Sequence, residues 1–118
     1  MVEFEKERPI VCVQGLGFVG MAMAIAVAVA KNKNGKPCYN VIGVDLPNEV
    51  GLKKIDCINK GELPLISNDE DLLAAFNRVI GQKNLKATSD PKAYGSASIV
   101  VVDIHLDVVE REDGSHSA

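Results

Sequence analysis

Six residues, Gly15-Leu16-Gly17-Phe18-Val19-Gly20, constrain this chain more than any other feature. They follow Ile10-Val11-Cys12-Val13, a short apolar run rich in β-branched residues, and precede Val19 to Lys31, which carries Met, Ala, Ile and Val on every side. The first run reads as a buried strand, the second as a helix enclosed between a sheet and another layer. Between them, Gly15 supplies the backbone of a tight turn. Gly17 keeps side-chain atoms away from the helix N-terminus, and Gly20 lets the helix pack close to the strand. Such a turn offers backbone N–H groups and the positive end of a helix dipole, so it neutralises phosphate without Lys or Arg.

The rest of the chain repeats the alternation. Asn32 to Pro37 is a polar loop, and Tyr39 to Asp45 reads as a second buried strand. Pro47 and Asn48 open a helix over Glu49 to Lys60, stopped by Gly61. Pro64 breaks the chain again. A third helix is expected to start at Asn68 as N-cap, with Asp69, Glu70 and Asp71 in its first turn, and to end near Gly81. Leu85 to Thr88 is a short strand, Pro91 to Tyr94 a turn or single helical turn. Ile99 to Ile104 is the most apolar strand and is expected at the centre of the sheet, followed by a polar tail from Glu110 to Ser115. Strands alternating with helices imply crossover connections and parallel pairing. The expected fold class is α/β, a Rossmann-type parallel sheet with helices on both faces. It stops after four strands, where a complete doubly wound domain has about six. A length of 118 residues suits one domain, 1–118.

Asp45 completes the fingerprint. It ends the second strand, where a carboxylate accepts hydrogen bonds from an adenosine ribose; the Asn32–Pro37 loop explains its extra distance from the glycines. A carboxylate there repels a 2′-phosphate, and Leu46-Pro47-Asn48 supplies no cation, so the expected cofactor is NAD rather than NADP. The cofactor-binding candidates are therefore Gly15, Leu16, Gly17, Phe18, Val19, Gly20 and Asp45. A plain strand-to-helix connection, an S-adenosylmethionine site or a regulatory nucleotide site stay open on the residues alone.

Composition excludes other classes. A net charge of −3, 4% aromatics and no Trp argue against nucleic acid as a partner. The longest apolar stretch, Phe18 to Ala30, is shorter than the ~20 residues a bilayer span needs, and the charged start is the wrong flank for a secretory signal. No membrane association is expected, and the expected location is the cytoplasm. Cys12, Cys38 and Cys57 are far apart with no paired Cys or His spacing, so no metal site is expected and Cys12 reads as a small core residue.

At this level the chain resembles the UDP-glucose/GDP-mannose (nucleotide-sugar) dehydrogenases. Val13 to Gly20 is similar to their V-I-G-L-G-Y-V-G opening, and Val44-Asp45 to their acid after the second strand. Ile58-Asn59-Lys60-Gly61-Glu62-Leu63-Pro64-Leu65 is similar to their I-N-x-G-x-x-P-I segment, the most discriminating match. Leu85 to Asp90 and Ala97 to Ile104 resemble their A-T-x-D and fourth strand. The resemblance runs from Pro9 to about Asp107. It implies an N-terminal NAD-binding domain of an enzyme that oxidises a nucleotide-sugar alcohol to a carboxylate in polysaccharide biosynthesis. The nucleotide sugar would be bound together with a further domain.

The departures are specific. Ser67 stands where the family usually has an acid, and Val50 where a basic residue often follows the ribose acid. Ile104-His105-Leu106-Asp107 replaces V-P-T-P. His105 is tempting as an acid/base group, but a lone His beside a strand end is more often structural or solvated. The family's catalytic Cys lies in a later G-x-C-x-x-K-D-type segment that this sequence lacks, so no catalytic residue is nominated. The chain alone is expected to be inactive, or to act as a non-catalytic nucleotide-binding or dimerising module. Ending after four strands would expose an apolar sheet edge, and a homo-oligomer through that edge is the expected assembly.

Overall fold

The computed structural model describes residues 8–102 in full, and 109–110 and 116–117 as backbone. Four strands form one parallel sheet in the order β3-β2-β1-β4: β1 (Ile10–Gln14), β2 (Asn40–Val44), β3 (Leu85–Thr88) and β4 (Ile99–Val102). Between them lie α1 (Phe18–Val29), α2 (Glu49–Lys60), α3 (Glu70–Gln82) and a 3-10 helix, Pro91–Ser96. The expected Rossmann-type α/β sheet is what forms. Where the sequence reads only a polar tail, β5 (Val109–Glu110) and β6 (His116–Ser117) make a separate antiparallel pair.

The period-two alternation of the strands sorts the core into two layers. Val11, Val13, Val41, Leu85 and Ala87 face one side and pack with Met21, Ile25, Ile55, Ile58, Phe76 and Val79, so all three α-helices contribute to that layer. Cys12, Ile42 and Val44 face the other side, where Ala93, Tyr94 and Ala97 of the 3-10 helix region cover them. Helical structure therefore lies on both faces, but one cover is a single thin element. Cys12 is a core residue there: it is fully buried, its thiol donates to the Ala93 carbonyl at 3.3 Å, and burial pushes its pKa up.

Helix boundaries follow local chemistry. The first helix starts at Phe18 and ends at Val29, two residues before Lys31, because Ala30 turns to extended backbone and Lys31 instead bridges Pro37 across the polar loop. The second spans Glu49–Lys60 as expected. Its cap Asn48 accepts from the Gly51 N–H at 2.7 Å, and Gly61, at φ 84°, closes it in the left-handed region that glycine tolerates. The third is capped by Asp69 and not by Asn68: the Asp69 carboxylate accepts from the N–H groups of Asp71 at 3.0 Å and Leu72 at 3.2 Å. Asn and Asp cap about equally well, so cap propensity alone does not choose between the two neighbours.

Fully buried Asn84 donates from Nδ2 to the carbonyls of Ala28 at 2.8 Å and Tyr39 at 2.9 Å. It thereby ties the end of α1 to the entry of β2.

The two sheet edges differ. The apolar β4, expected at the centre, is an edge strand with β1 as its neighbour in the sheet; Ile99, Val100 and Val102 are about half exposed. Apolarity on both faces signals a strand covered above and below the sheet and does not tell an edge from a central strand; among the described residues no strand pairs with β4 opposite β1. Asp103 and Ile104, the rest of the expected strand, lie outside the described residues. At the other edge, Asn59 of α2 pairs with β3 as a strand would. Its Nδ2 donates to the Ala87 carbonyl at 2.9 Å, and its Oδ1 accepts from the Ala87 N–H at 3.0 Å. Replacing Asn59 with Ala strands both groups; urea unfolding is expected to show a loss of about 2 kcal/mol, against the ~0.5 kcal/mol of an ordinary surface change.

Candidate functional site

The topology places a crevice before any side chain is considered. The chain builds β1, β2 and β3 outward in one direction and then returns past β1 to add β4. In open α/β sheets, ligands bind outside the carboxyl ends of the strands where the order reverses. Here Gln14 and Val102, the last residues of β1 and β4, are register partners at that reversal.

The glycine turn leaves β1 at this point and is tied down on one side. Gly15 has φ 91°, the positive-φ conformation a tight turn needs, and its N–H donates to the Val44 carbonyl at 2.8 Å. The Leu16 N–H donates to Oδ2 of Asp45 at 3.0 Å, while Oδ1 of the same carboxylate accepts from the Leu46 N–H at 2.7 Å. The Leu16 side chain is buried in the core over Gly43, where an added Cβ would come within 2.6 Å of Leu16 Cδ2. Leu16 is therefore an anchor and faces the crevice only through its backbone. The amides of Gly15 and Leu16 are already engaged within the protein.

The open side of the turn begins at Gly17. It is the N-cap of α1, with no side-chain cap hydrogen bond and no acid in the helix's first turn. A Cβ built on Gly17 meets nothing within 4 Å. Lack of space does not require glycine there; the vacant volume beside the helix N-terminus is what a bound anion would use. Phe18 and Val19 are 62% and 55% exposed, so their side chains stand clear of the core. Gly20 is buried at the start of the helix.

Next to the turn is a cavity of about 540 Å³ lined by Gln14, Gly15, Val44, Asp45, Leu46, Pro47, Ser89, Pro91, Tyr94 and Val102. Its walls are mostly apolar, and among the described residues they hold one carboxylate and no Lys or Arg. Burial, with smaller contributions from Cys12 and the Asp45 carboxylate, pushes the Tyr94 pKa up, so the phenol stays a neutral O–H. The structure thus brings Gly15 and Asp45 into one cavity, while Leu16, Gly17, Phe18, Val19 and Gly20 are not among its lining residues. Sequence reasoning missed Leu46, Pro47, Ser89, Pro91 and Tyr94. Their signal was position: they follow the carboxyl ends of β2 and β3, where ligand-contacting loops converge. His105 and Asp107 lie outside the described residues.

A second groove, about 550 Å³, lies between α2 and Leu63-Pro64-Leu65-Ile66 and includes Val50, Lys53 and Cys57. It contains no residue of the glycine turn. Cys38 and Cys57 are free thiols, partly exposed. Among the described residues no three His, Cys, Asp or Glu side chains cluster to hold a metal, and no helix is long and apolar enough to cross a membrane.

No family profile and no curated protein matches the sequence. Solved structures do. An NDP-N-acetyl-D-galactosaminuronic acid dehydrogenase from Methanosarcina mazei superposes with a TM-score of 0.70 at 24% identity, over 85% of this chain and 20% of that one. A GDP-mannose dehydrogenase from Pseudomonas aeruginosa matches at 0.60 and 26%, over 92% and 21%. A UDP-glucose dehydrogenase from Pyrobaculum islandicum matches at 0.63 and 19%, over 88% and 21%. This is the fold of the nucleotide-sugar dehydrogenases. The chain spans about a fifth of the length of the dehydrogenases it matches. Its resemblance at Val13–Gly20 falls on the turn and helix described above, and that at Ile58–Leu65 on the α2 terminus that closes the β3 edge.

Proposed function

We propose that this chain is the N-terminal NAD-binding domain of a nucleotide-sugar dehydrogenase. The observation that carries the reading is the cavity that brings the turn residue Gly15 and the Asp45 carboxylate together, two residues before a helix N-terminus at Gly17 that has no side-chain cap; among the described residues its wall holds no Lys or Arg. The pyrophosphate of NAD lies against the backbone from Gly17 to Gly20, and the adenosine ribose against Asp45. Gly15 and Leu16 shape the turn from beneath, their N–H groups being already bonded. A 2′-phosphate would meet Asp45 with no Lys or Arg among the described residues of the cavity wall to offset its charge.

Within the whole enzyme, the domain would present NAD to a nucleotide sugar held with a further domain. Two hydride transfers, one to each of two successive NAD molecules, with water supplying the second oxygen, would carry its alcohol to a carboxylate, in the cytoplasm, as a step of polysaccharide biosynthesis. No residue of this chain is assigned a catalytic role. The chain alone holds cofactor and turns over no substrate, because the sugar site and half of the crevice belong to the rest of the enzyme.

Calorimetric titration tests the reading directly. NAD is expected to bind, and NADP to bind at least about tenfold more weakly, the factor that 1.4 kcal/mol of unfavourable charge produces. No binding of NAD, or equal binding of both, would count against it.

A second reading rests on β4. Its exposed Ile99, Val100 and Val102 on an edge strand favour a homodimer that pairs the two edges. Light scattering is expected to give a mass twice that of the chain; a clean monomer at high concentration removes this reading.

A further inference from the structure

The Asp45 carboxylate does more than face the cavity. Its Oδ2 accepts from the Leu16 N–H at 3.0 Å, and its Oδ1 from the Leu46 N–H at 2.7 Å. A carboxylate has about four acceptor positions. Two are used by these amides, and two remain on a residue that lines the cavity. The same group is therefore placed to hold the turn and to receive two hydroxyls without giving up either bond.

Around it, the turn is held from several directions. Gly15 is bonded to the carbonyl of Val44, the Leu16 side chain is sunk over Gly43, and α1 carries no capping side chain of its own. Of these ties, the bond from Asp45 to Leu16 is the last before the open backbone at Gly17. Hydrogen bonds to an ionised acceptor are short and about twice as strong as neutral ones.

The geometry points to Asp45 as a positioning residue for the phosphate turn, in addition to its role toward the ribose. This rests on the cofactor reading above and extends it. One carboxylate couples the two halves of adenosine diphosphate recognition, so its loss is felt by a ligand that has no ribose at all. Substitution by Asn keeps the shape but leaves one acceptor oxygen for the two amides.

The test uses inorganic pyrophosphate, which carries the anion and no sugar, titrated into the full chain and followed by amide NMR. If Asp45 acted only on the ribose, Asp45→Asn would remove a negative charge near the anion site and pyrophosphate would bind equally or more tightly. The positioning role predicts the opposite sign, an affinity lower by at least about threefold, because the turn loses its defined shape. It also predicts that hydrogen exchange of the Leu16 amide speeds up by about tenfold or more, the scale of one charge-assisted hydrogen bond. Asp45→Ser, read the same way, guards against an Asn variant that fails to fold; circular dichroism identifies that case.

Unchanged or raised pyrophosphate affinity in the variant overturns the positioning role. So does a Leu16 amide that exchanges as in the wild type. The exchange measurement needs no ligand, so a wild-type chain that binds neither NAD nor pyrophosphate defeats the cofactor reading and leaves Asp45 to be judged on Leu16 alone.

Discussion

Gly17→Val is expected to weaken NAD binding by about two orders of magnitude while leaving the domain folded. Gly17 sits at φ −70° and ψ −171°, extended backbone that any residue adopts, and its added Cβ meets no protein atom within 4 Å. Valine is a poorer N-cap than glycine, so a loss of about 1 kcal/mol in stability is the most that the apo protein should show. The ligand meets a different situation. The volume that valine fills is the approach to the helix N-terminus, where the pyrophosphate would exchange its water for backbone N–H groups and the helix dipole. Displacing it costs the charge-assisted bonds together, and an affinity loss of about 100-fold, or 2.7 kcal/mol, is expected. Calorimetry with NAD and a thermal melt of the same preparation check both halves. Equal affinity in the variant would mean that the phosphates are held elsewhere.

Gly51→Ala is expected to do the reverse, damaging the fold first. A Cβ on Gly51 would collide with the carbonyl oxygen of Leu46 and crowd Oδ1 of Asn48. The obstacle is backbone and cap, not the tip of a flexible side chain, so the first turn of α2 has to move. Its N–H is also the donor that Asn48 accepts in capping that helix. Overpacking of this kind costs about 3 kcal/mol, which for a domain of this size is a Tm lower by roughly 15 °C. Because Leu46 and Pro47 line the cavity beside Asp45, the damage also reaches the site. Gly81→Ala is the matched control. It lies inside α3 with nothing within 4 Å of the new Cβ, and a gain of about 0.5 kcal/mol is expected from the reduced freedom of the unfolded chain. If both substitutions were equally mild, the collision at Leu46 would not exist in solution.

Much of the fold was legible because it rests on periodicity and punctuation. Ile10–Val13 and Tyr39–Asp45 alternate between two buried layers. The bounds of α2 are set by Asn48 and Gly61, signals that depend on immediate neighbours. The misplaced cap at Asn68 and the first helix drawn too long toward Lys31 are errors of the same local kind, where adjacent residues compete for one role. The position of β4 was a different matter. An apolar run on both faces says that a strand should be covered, and not whether the described chain covers it.

The candidate site was legible in outline for similar reasons. The spacing of Gly15, Gly17 and Gly20 and the acid ending β2 are a short pattern with a mechanical cause. What stayed hidden were hydrogen bonds between residues far apart in sequence. Asp45 to Leu16 spans 29 positions and Asn59 to Ala87 spans 28. Neither leaves a period or a composition bias, so the tie from Asp45 to the glycine turn and the strand-like pairing of Asn59 emerge only when the chain is folded. The cavity wall at Ser89, Pro91 and Tyr94 was hidden by the same distance.

The carboxamide of Asn59 has a consequence for how such a sheet could have been enlarged. With the Ala87 backbone groups already matched, a strand arriving beside β3 would first have to dislodge a helix side chain, whereas beside β4 no described residue of the chain pairs with the edge opposite β1. The sheet thus has a stop at one margin and a start at the other. Gene fusion, insertion or a split-protein design has one productive direction in which to add structure, and the crevice at the β1–β4 boundary lies on that growing side.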